Sequence, residues 1–427
     1  MRRKWKIALA VLLMGTMLAS CGEEPAPVSA DDILSGEPIT IVEPAITPPP
    51  ESGEEAEASN HTDDKTSDTQ NEAKATPEPI VDHSNDYRSE LNGLWVSKDI
   101  ENQRPVAIMV DNEILTYPHY GINQADIVYE MMNSTANGRI TRFMCIVKDY
   151  EKITRFGGVR SIRPTNFLVG FPYEAIFCHD GGPFYINDYV AKSYCNHFSG
   201  IFGRFTRTTA ERPSWATSYA GRSYSSEFTE FATYEDYTNP NTGKKYSGLK
   251  SALSSARFSK EYSSSYQGTG FHFLEDEETD LSDKKNVKSA TSVSLPYQHT
   301  STALKYNEET KTYDLYEYGN VHTDAADNDN VTTFKNVLLL SCGFSQLDEH
   351  GYMIYNYYNY NSSLKNRADG YYLTNGNAIP IKWAKTNKDS EPARYYDANT
   401  GEEIVLNAGK IYINLVPADS WSKVSIK

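Results

Sequence analysis

The stretch from Phe156 to Pro183 (FGGVRSIRPTNFLVGFPYEAIFCHDGGP) gathers the residues whose types and spacing could do chemistry. Arg160 and Arg163 stand three apart behind the pair Gly157-Gly158, and Pro164 pre-sets the first turn of a short helix over Thr165 to Val169. Guanidinium forks match carboxylate or phosphate, and a helix start adds partial positive charge, so this loop reads as an anion trap. Arg139 and Arg142, from the neighbouring run Gly138 to Val147, are taken as candidate ligand contacts with them. The competing reading is structural, because buried arginines are normally partnered and Asp111, Asp126 and Glu130 are available carboxylates. His179-Asp180, placed between a strand and Gly181-Gly182, suits a general base followed by a ligand-binding loop. It is equally a turn in which His179 packs and Asp180 caps a helix beginning near Phe184. Asp111 ends one strand and Glu130 lies inside another, two carboxylates of the kind that act as acid and base in sugar-bond hydrolysis. The bland alternative makes Glu130 an arginine partner. Asp111, Glu130 and His179 are therefore the catalytic candidates, and Arg139, Arg142, Arg160, Arg163, Asp180, Gly181 and Gly182 the ligand-binding ones.

Other chemistries find little support. There is no GxSxG elbow for a serine nucleophile and no CxxC or Cys/His spacing for zinc, so neither a metal nor a cofactor is expected. Cys145 and Cys178 fall in or at the end of apolar runs and read as buried thiols. No basic stripe or nucleic-acid motif is present.

The elements that must position these residues fall into two groups. Pro105–Val110, Asp126–Met131, Ile140–Lys148 and Glu174–Phe177 read as buried strands, and Tyr185–Lys192 as a helix. Continuous apolar strands alternating with helical turns predict a mixed α/β sheet covered on both faces. Phe228–Tyr237 and Leu249–Phe258 read as short helices. From Ser292 onward the texture is repeated strands with turns at Asn399-Thr400-Gly401 and Asn407-Ala408-Gly409. The predicted fold class is α+β: a mixed α/β first domain over residues 91–285, then a β-rich, mostly antiparallel second domain over 286–427.

Residues 1–20 read as a signal peptide, with basic Arg2, Arg3, Lys4 and Lys6 before an apolar run too short to span a bilayer as a mature helix. Leu18-Ala19-Ser20-Cys21 resembles the bacterial lipobox, which implies lipidation of Cys21. Residues 21–90 are rich in Glu, Asp, Pro, Ser and Thr and carry most of the formal net charge of −16. Such a composition buries too little apolar surface to offset ordering, so an acidic tether is predicted. The remainder is only mildly acidic, and overall charge says little about its ligand.

The blocks RPVAIMVDN, QADIVYE, GRITRFMCIV, GGVRSIRP and FCHDGGP, then VHTD, GYYLTNG, PIKWAK, ARYYD and AGKIYINLVP, resemble the YerB-type lipoproteins. These are a bacterial family with two domains of unknown function. The likeness spans most of Arg104 to Pro417. One departure stands out: Pro213-Ser214-Trp215 occupies the place where a Pro-His-Asn block is expected. The resemblance implies a lipid-anchored protein on the outer side of the cell membrane and a fold plan, without an activity. The expected ligand is an anionic wall polymer, peptidoglycan or teichoic acid. The alternatives are an envelope hydrolase acting on a glycan or phosphodiester, and a non-catalytic partner of an envelope enzyme.

Overall fold

Four buried strands of the first part form the frame, and each is buried along its whole length and mostly apolar because it is covered on both faces. In chain order they are β1 (Val106–Asp111), β2 (Ile127–Met132), β3 (Thr141–Val147) and β4 (Ile176–His179). The computed structural model describes residues 82–200, 203–204, 228–240 and 242–427. Cys21 and the lipobox, the tether up to residue 81, and Pro213-Ser214-Trp215 lie outside the described residues. Helix α1 (Pro164–Gly170) stands between β3 and β4, and β5 (His197–Ser199) extends the edge beyond β4.

The second part is sheet-rich. It adds β6 (Lys288–Ser289), β7 (Ser292–Ser294), β8 (Ala303–Asn307), β9 (Thr312–Glu317), β10 (Asn320–Val321) and β11 (Asn336–Cys342). Then come β12 (Ala368–Thr374), β13 (Asn377–Ala384), β14 (Arg394–Asp397), β15 (Ile411–Pro417) and β16 (Ser425–Ile426). Among the described residues strands predominate over helices.

Both parts share one eleven-stranded mixed sheet among the described residues, in the order β6-β13-β12-β11-β15-β2-β3-β1-β4-β5, with β14 on β13. The join is β15, which lies parallel to β11 on one side and parallel to β2 on the other, from Ile411 opposite Ile127 to Leu415 opposite Met131. A six-stranded sheet includes β10-β9-β8-β7-β16.

Register sorts the side chains of the central sheet. Val110, Phe143, Glu130 and Asn414 are cross-strand neighbours and share one face; Asp111, Arg142 and Met131 share the other. The second sheet covers the Glu130 face: Phe334 meets Tyr412 at 5.2 Å between ring centroids, and the Tyr297 hydroxyl donates to Asn414 Oδ1 at 2.7 Å. Helix α1 covers the Asp111 face: Phe167 packs on Phe177 at 4.9 Å, and Asn166 Nδ2 donates to Met131 Sδ at 3.6 Å. Where the sequence pattern predicts helices flanking the strands, one cover is therefore a sheet.

Local differences have identifiable causes. Glu230–Ala232 is a strand rather than part of a helix, held against Phe156-Gly157. Glu174 adopts φ 47° and the strand starts only at Ile176. Residues 82–90 are part of the fold: Asp86–Arg88 pairs with Trp95–Ser97, and Glu90 Oε1 lies 2.5 Å from the Nζ of Lys148, itself a buried residue. A buried ammonium needs such a partner, and Glu90, from the end of the acidic stretch, supplies it together with the Glu101 carbonyl at 2.9 Å. Among the described residues all four cysteines, Cys145, Cys178, Cys195 and Cys342, are free and buried.

Candidate functional site

The ends of β1 and β3 place Asp111 and Arg142 opposite each other, and the loop before α1 brings Arg160 and Arg163 to the same end. Asp111 is 2 % exposed; its Oδ2 accepts from Arg160 Nε at 2.7 Å, and its Oδ1 lies 3.6 Å from Arg142 Nη2. Burial pushes this carboxyl up, but Arg142 and Arg160 outweigh it and hold the group below the usual carboxylate range. Arg142 also donates from Nη1 to the Ser161 carbonyl at 2.6 Å. Both arginines thus serve partly as struts.

Arg163 differs. Its Nη1 donates to the Ile162 carbonyl at 3.1 Å, its guanidinium lies 5.2 Å from the Tyr352 ring centroid, and its Nε is buried without a hydrogen-bond partner among the described residues. No described carboxylate forms an ion pair with it. Burial, then the like charge of Arg142, brings it down to about 9. Helix α1 adds little field of its own, being seven residues long with the Arg163 amide already donating to Asn166 Oδ1 at 2.8 Å.

The second glycine loop lies against this one. Ile162 N–H donates to the Gly181 carbonyl at 3.2 Å, and the Asp180 amide donates to the Arg160 carbonyl at 3.1 Å. Gly181 adopts φ +69°, and both Gly181 and Gly182 are exposed. A Cβ on Gly182 would meet Ile186 Cδ1 at 2.5 Å, so the glycine permits a close approach to the chain. Gly157-Gly158 serve a similar end: a Cβ on Gly157 would lie 2.7 Å from the Glu230 carbonyl oxygen. The turn at Phe184 begins after Pro183 with no side-chain cap, so Asp180 does not cap it.

His179 sits on the Asp111 face with 1 % exposure, hydrogen-bonded through Nδ1 to the Gly181 carbonyl at 2.8 Å and through Nε2 to His197 Nδ1 at 3.1 Å. With Nδ1–H donating to the carbonyl, Nε2 accepts from His197. Burial lowers His179 to about 4 and keeps it neutral at pH 7. Both ring nitrogens are engaged within the chain.

Glu130 is on the opposite face and does not join Asp111. Its Oε1 accepts from Thr302 Oγ1 at 2.9 Å and its Oε2 from the Tyr412 hydroxyl. The same Thr302 hydroxyl is 3.0 Å from Glu317 Oε2. Burial raises both carboxyls, and the Glu130 charge raises Glu317 further, so the pair holds its protons more tightly than exposed carboxyls do. Arg139 is engaged elsewhere, in a bidentate pair with Asp419 at 2.6 and 2.7 Å. The fold thus brings together Asp111, Arg142, Arg160, Arg163, Asp180, Gly181 and Gly182, keeps His179 buried on the same face, and leaves Glu130 and Arg139 apart from them.

Glu317, Tyr412, Thr302 and His197 escaped the sequence reading. Glu317 carried a signal: in Thr312–Glu317 the inward positions alternate as Tyr313, Leu315, Glu317, which places a carboxyl on an apolar face. Among the described residues no group of His, Cys, Asp and Glu is placed to hold a metal, and no helix is long and apolar enough to cross a membrane.

Comparison with known proteins supplies the family. Residues 91–236 match the N-terminal domain, and residues 293–413 the C-terminal domain, of a protein family of unknown function, DUF3048. The chain belongs to this YerB-like family. A relative from Bacillus subtilis strain 168, named "Putative lipoprotein YerB", is 23 % identical over 345 residues, covering 79 % of this chain and 88 % of the relative. The crystal structure of YerB protein from Bacillus subtilis superposes with a TM-score of 0.59 at 18 % identity, over 80 % of this chain and 99 % of that one. At that identity the likeness shows a shared fold and nothing more.

Proposed function

We propose that this YerB-like chain is a lipid-anchored protein of the bacterial cell envelope that binds an anionic wall polymer through the loop Arg160–Arg163. The observation that carries the reading is Arg163: a half-buried guanidinium whose Nε is buried without a hydrogen-bond partner and which forms no ion pair with a carboxylate among the described residues, beside the exposed Gly181-Gly182. Buried charges are ordinarily paired, and a stem-peptide carboxylate or a teichoic-acid phosphate would supply the missing partner. Arg142 and Arg160, anchored on Asp111, hold the loop and add positive potential. Binding is favoured over cleavage because Glu130 and His179 are buried and spend their polar atoms on the protein itself. The lipid anchor rests on Leu18-Ala19-Ser20-Cys21 and on the lipoprotein name of the relative.

The decisive test is Arg163→Gln, with binding to purified wall polymer measured beside thermal melting. Loss of one charge-assisted contact of about 1.5–3 kcal/mol weakens binding about tenfold or more, with the melting temperature retained. A variant that melts and binds as the parent does overturns the reading. For the anchor, Cys21→Ser should release the protein from membranes or leave it as an uncut precursor.

A further inference from the structure

A second cleft lies away from the arginines, between the end of α1, the segment 188–196 and the turn at 387–390. It encloses about 910 Å³, within the roughly 300–1,000 Å³ of small-molecule sites, and none of Arg142, Arg160 and Arg163 lines it. We propose that this cleft binds a short, uncharged oligosaccharide.

The aromatic wall carries the first part of the argument. Tyr194 keeps 53 % of its surface exposed, yet its ring is fixed edge-on against Phe171 at 5.2 Å and its hydroxyl donates to Asp389. Tyr189 is stacked on Phe167 at 5.5 Å with 10° between the planes. Large aromatics held rigid and left partly open offer flat apolar surface at little ordering cost, which the C–H face of a pyranose ring matches.

The polar groups carry the second part. Asp389 accepts from Lys192 Nζ at 2.7 Å and from the Tyr194 and Tyr358 hydroxyls, so its position is fixed by three donors. Lys192 retains further N–H donors beyond that bond. Asn196 uses its Oδ1 on Arg104 Nη1 at 2.8 Å, leaving its amide donors for a ligand. Donors and acceptors thus converge beside aromatic faces, the pattern a polyol needs. Charge disfavours a polyanion: the lining carboxylates Glu174, Asp188 and Asp389 outnumber the cations Arg104 and Lys192 by one. The cleft therefore selects chemistry opposite to that expected at Arg163.

Titration calorimetry on the folded protein with the tetramers of N-acetylglucosamine and of glucose tests this. At least one tetramer should bind saturably, Tyr194→Ala should weaken it about tenfold, and Tyr194→Phe, which keeps the ring, should stay within about threefold. Asn387→Ala, at an exposed lining position, provides a second variant with no fold at risk and should also weaken binding. Arg163→Gln should leave saccharide binding unchanged, which separates this site from the wall-polymer reading. The proposal fails if neither tetramer binds at millimolar concentration, if Tyr194→Ala binds as the parent does, or if polyglycerol phosphate displaces the saccharide.

Discussion

The two faces of the central sheet treat buried charge in opposite ways. On one face Asp111 is held in its charged form between Arg142 and Arg160; on the other, Glu130 and Glu317 lie among hydroxyls, where burial favours their protonated forms. Asp111 comes from β1 and Glu130 from β2, the two strands that flank β3, with Asp111 one position beyond Val110 and Glu130 one before Met131; Glu317 comes from β9 of the covering sheet. Strand alternation alone decides which cover each carboxyl meets. Under α1 it meets guanidiniums; under the second sheet it meets Thr302 and Tyr412. A buried carboxyl without a cation keeps a proton, and one with two cations loses it. The Asp111 face is therefore held together by charge and the Glu130 face by hydrogen bonds.

The largest expected effect comes from breaking the ionic face. Asp111→Asn keeps the size but leaves Arg142 buried opposite a neutral group, at a cost of about 3–5 kcal/mol. Glu130→Gln replaces an already protonatable group and should cost about 1–2 kcal/mol at most. Urea unfolding at pH 7 compares the two. Equal costs would remove the distinction between the faces.

Next in size is the acid limb. His179, on the ionic face, is lowered from 6.5 to about 4, so between these values the unfolded chain binds more protons than the folded one. Its contribution is complete above pH 6.5 and is lost as pH falls towards 4, up to about 3 kcal/mol for a shift of this size. The depressed Asp111 acts in the same direction at lower pH, its stabilisation being present above the ordinary carboxylate range and lost as pH falls through the folded value. His179→Gln should flatten stability between pH 6.5 and 4, and an unchanged slope would refute the assignment.

On the other face the sign reverses. Glu130 and Glu317 have raised values, so the folded state holds protons that the unfolded chain releases as pH rises above the ordinary 4.5. Stability from this pair is greatest in acid and declines as pH rises through the folded values. Glu317→Gln keeps an amide for hydrogen bonding while removing the repulsion, and should stabilise the protein by about 1–2 kcal/mol at pH 8 and hardly at pH 4. Differential scanning at the two pH values reads this directly. Destabilisation at pH 8 would mean that the charged pair is needed.

Much of this frame is legible in the sequence. The strands PVAIMV, DIVYEM and ITRFMCIVK stand within one or two residues of their predicted limits, because unbroken apolar runs admit few other structures. The helix after Pro164 is equally plain from proline at its first position. What the residues could not disclose was which face each carboxyl occupies, since that depends on β15 inserting beside β2 from nearly 300 residues later. An acid–base role for Asp111 and Glu130 needs proximity, which spacing in sequence cannot supply, and a one-residue difference in strand parity places them on opposite sides. The arginine cluster was readable because Arg160 and Arg163 are local to one loop. Its internal partner Asp111 was one of three carboxylates equally compatible with the sequence.

The smallest expected effect separates burial from geometry as the source of the ionic face's strength. Arg139 and Asp419 form a bidentate pair at 2.6 and 2.7 Å, closer than the 3.6 Å between Arg142 and Asp111. By geometry alone it would be the stronger contact. Its side chains, however, are 29 % and 48 % exposed, against 6 % and 3 % for Arg142 and Asp111. Water screens an exposed pair, and removing one partner leaves the other solvated rather than stranded. Arg139→Gln should therefore cost less than about 1 kcal/mol and lose most of that in high salt. Asp111→Asn should retain most of its larger cost under the same salt, because a buried guanidinium is screened little. Chemical denaturation of both variants in urea, with and without added sodium chloride, measures the contrast. Should Arg139→Gln cost as much as Asp111→Asn, ion-pair geometry rather than burial would govern both contacts, and the difference between the two faces would need another cause.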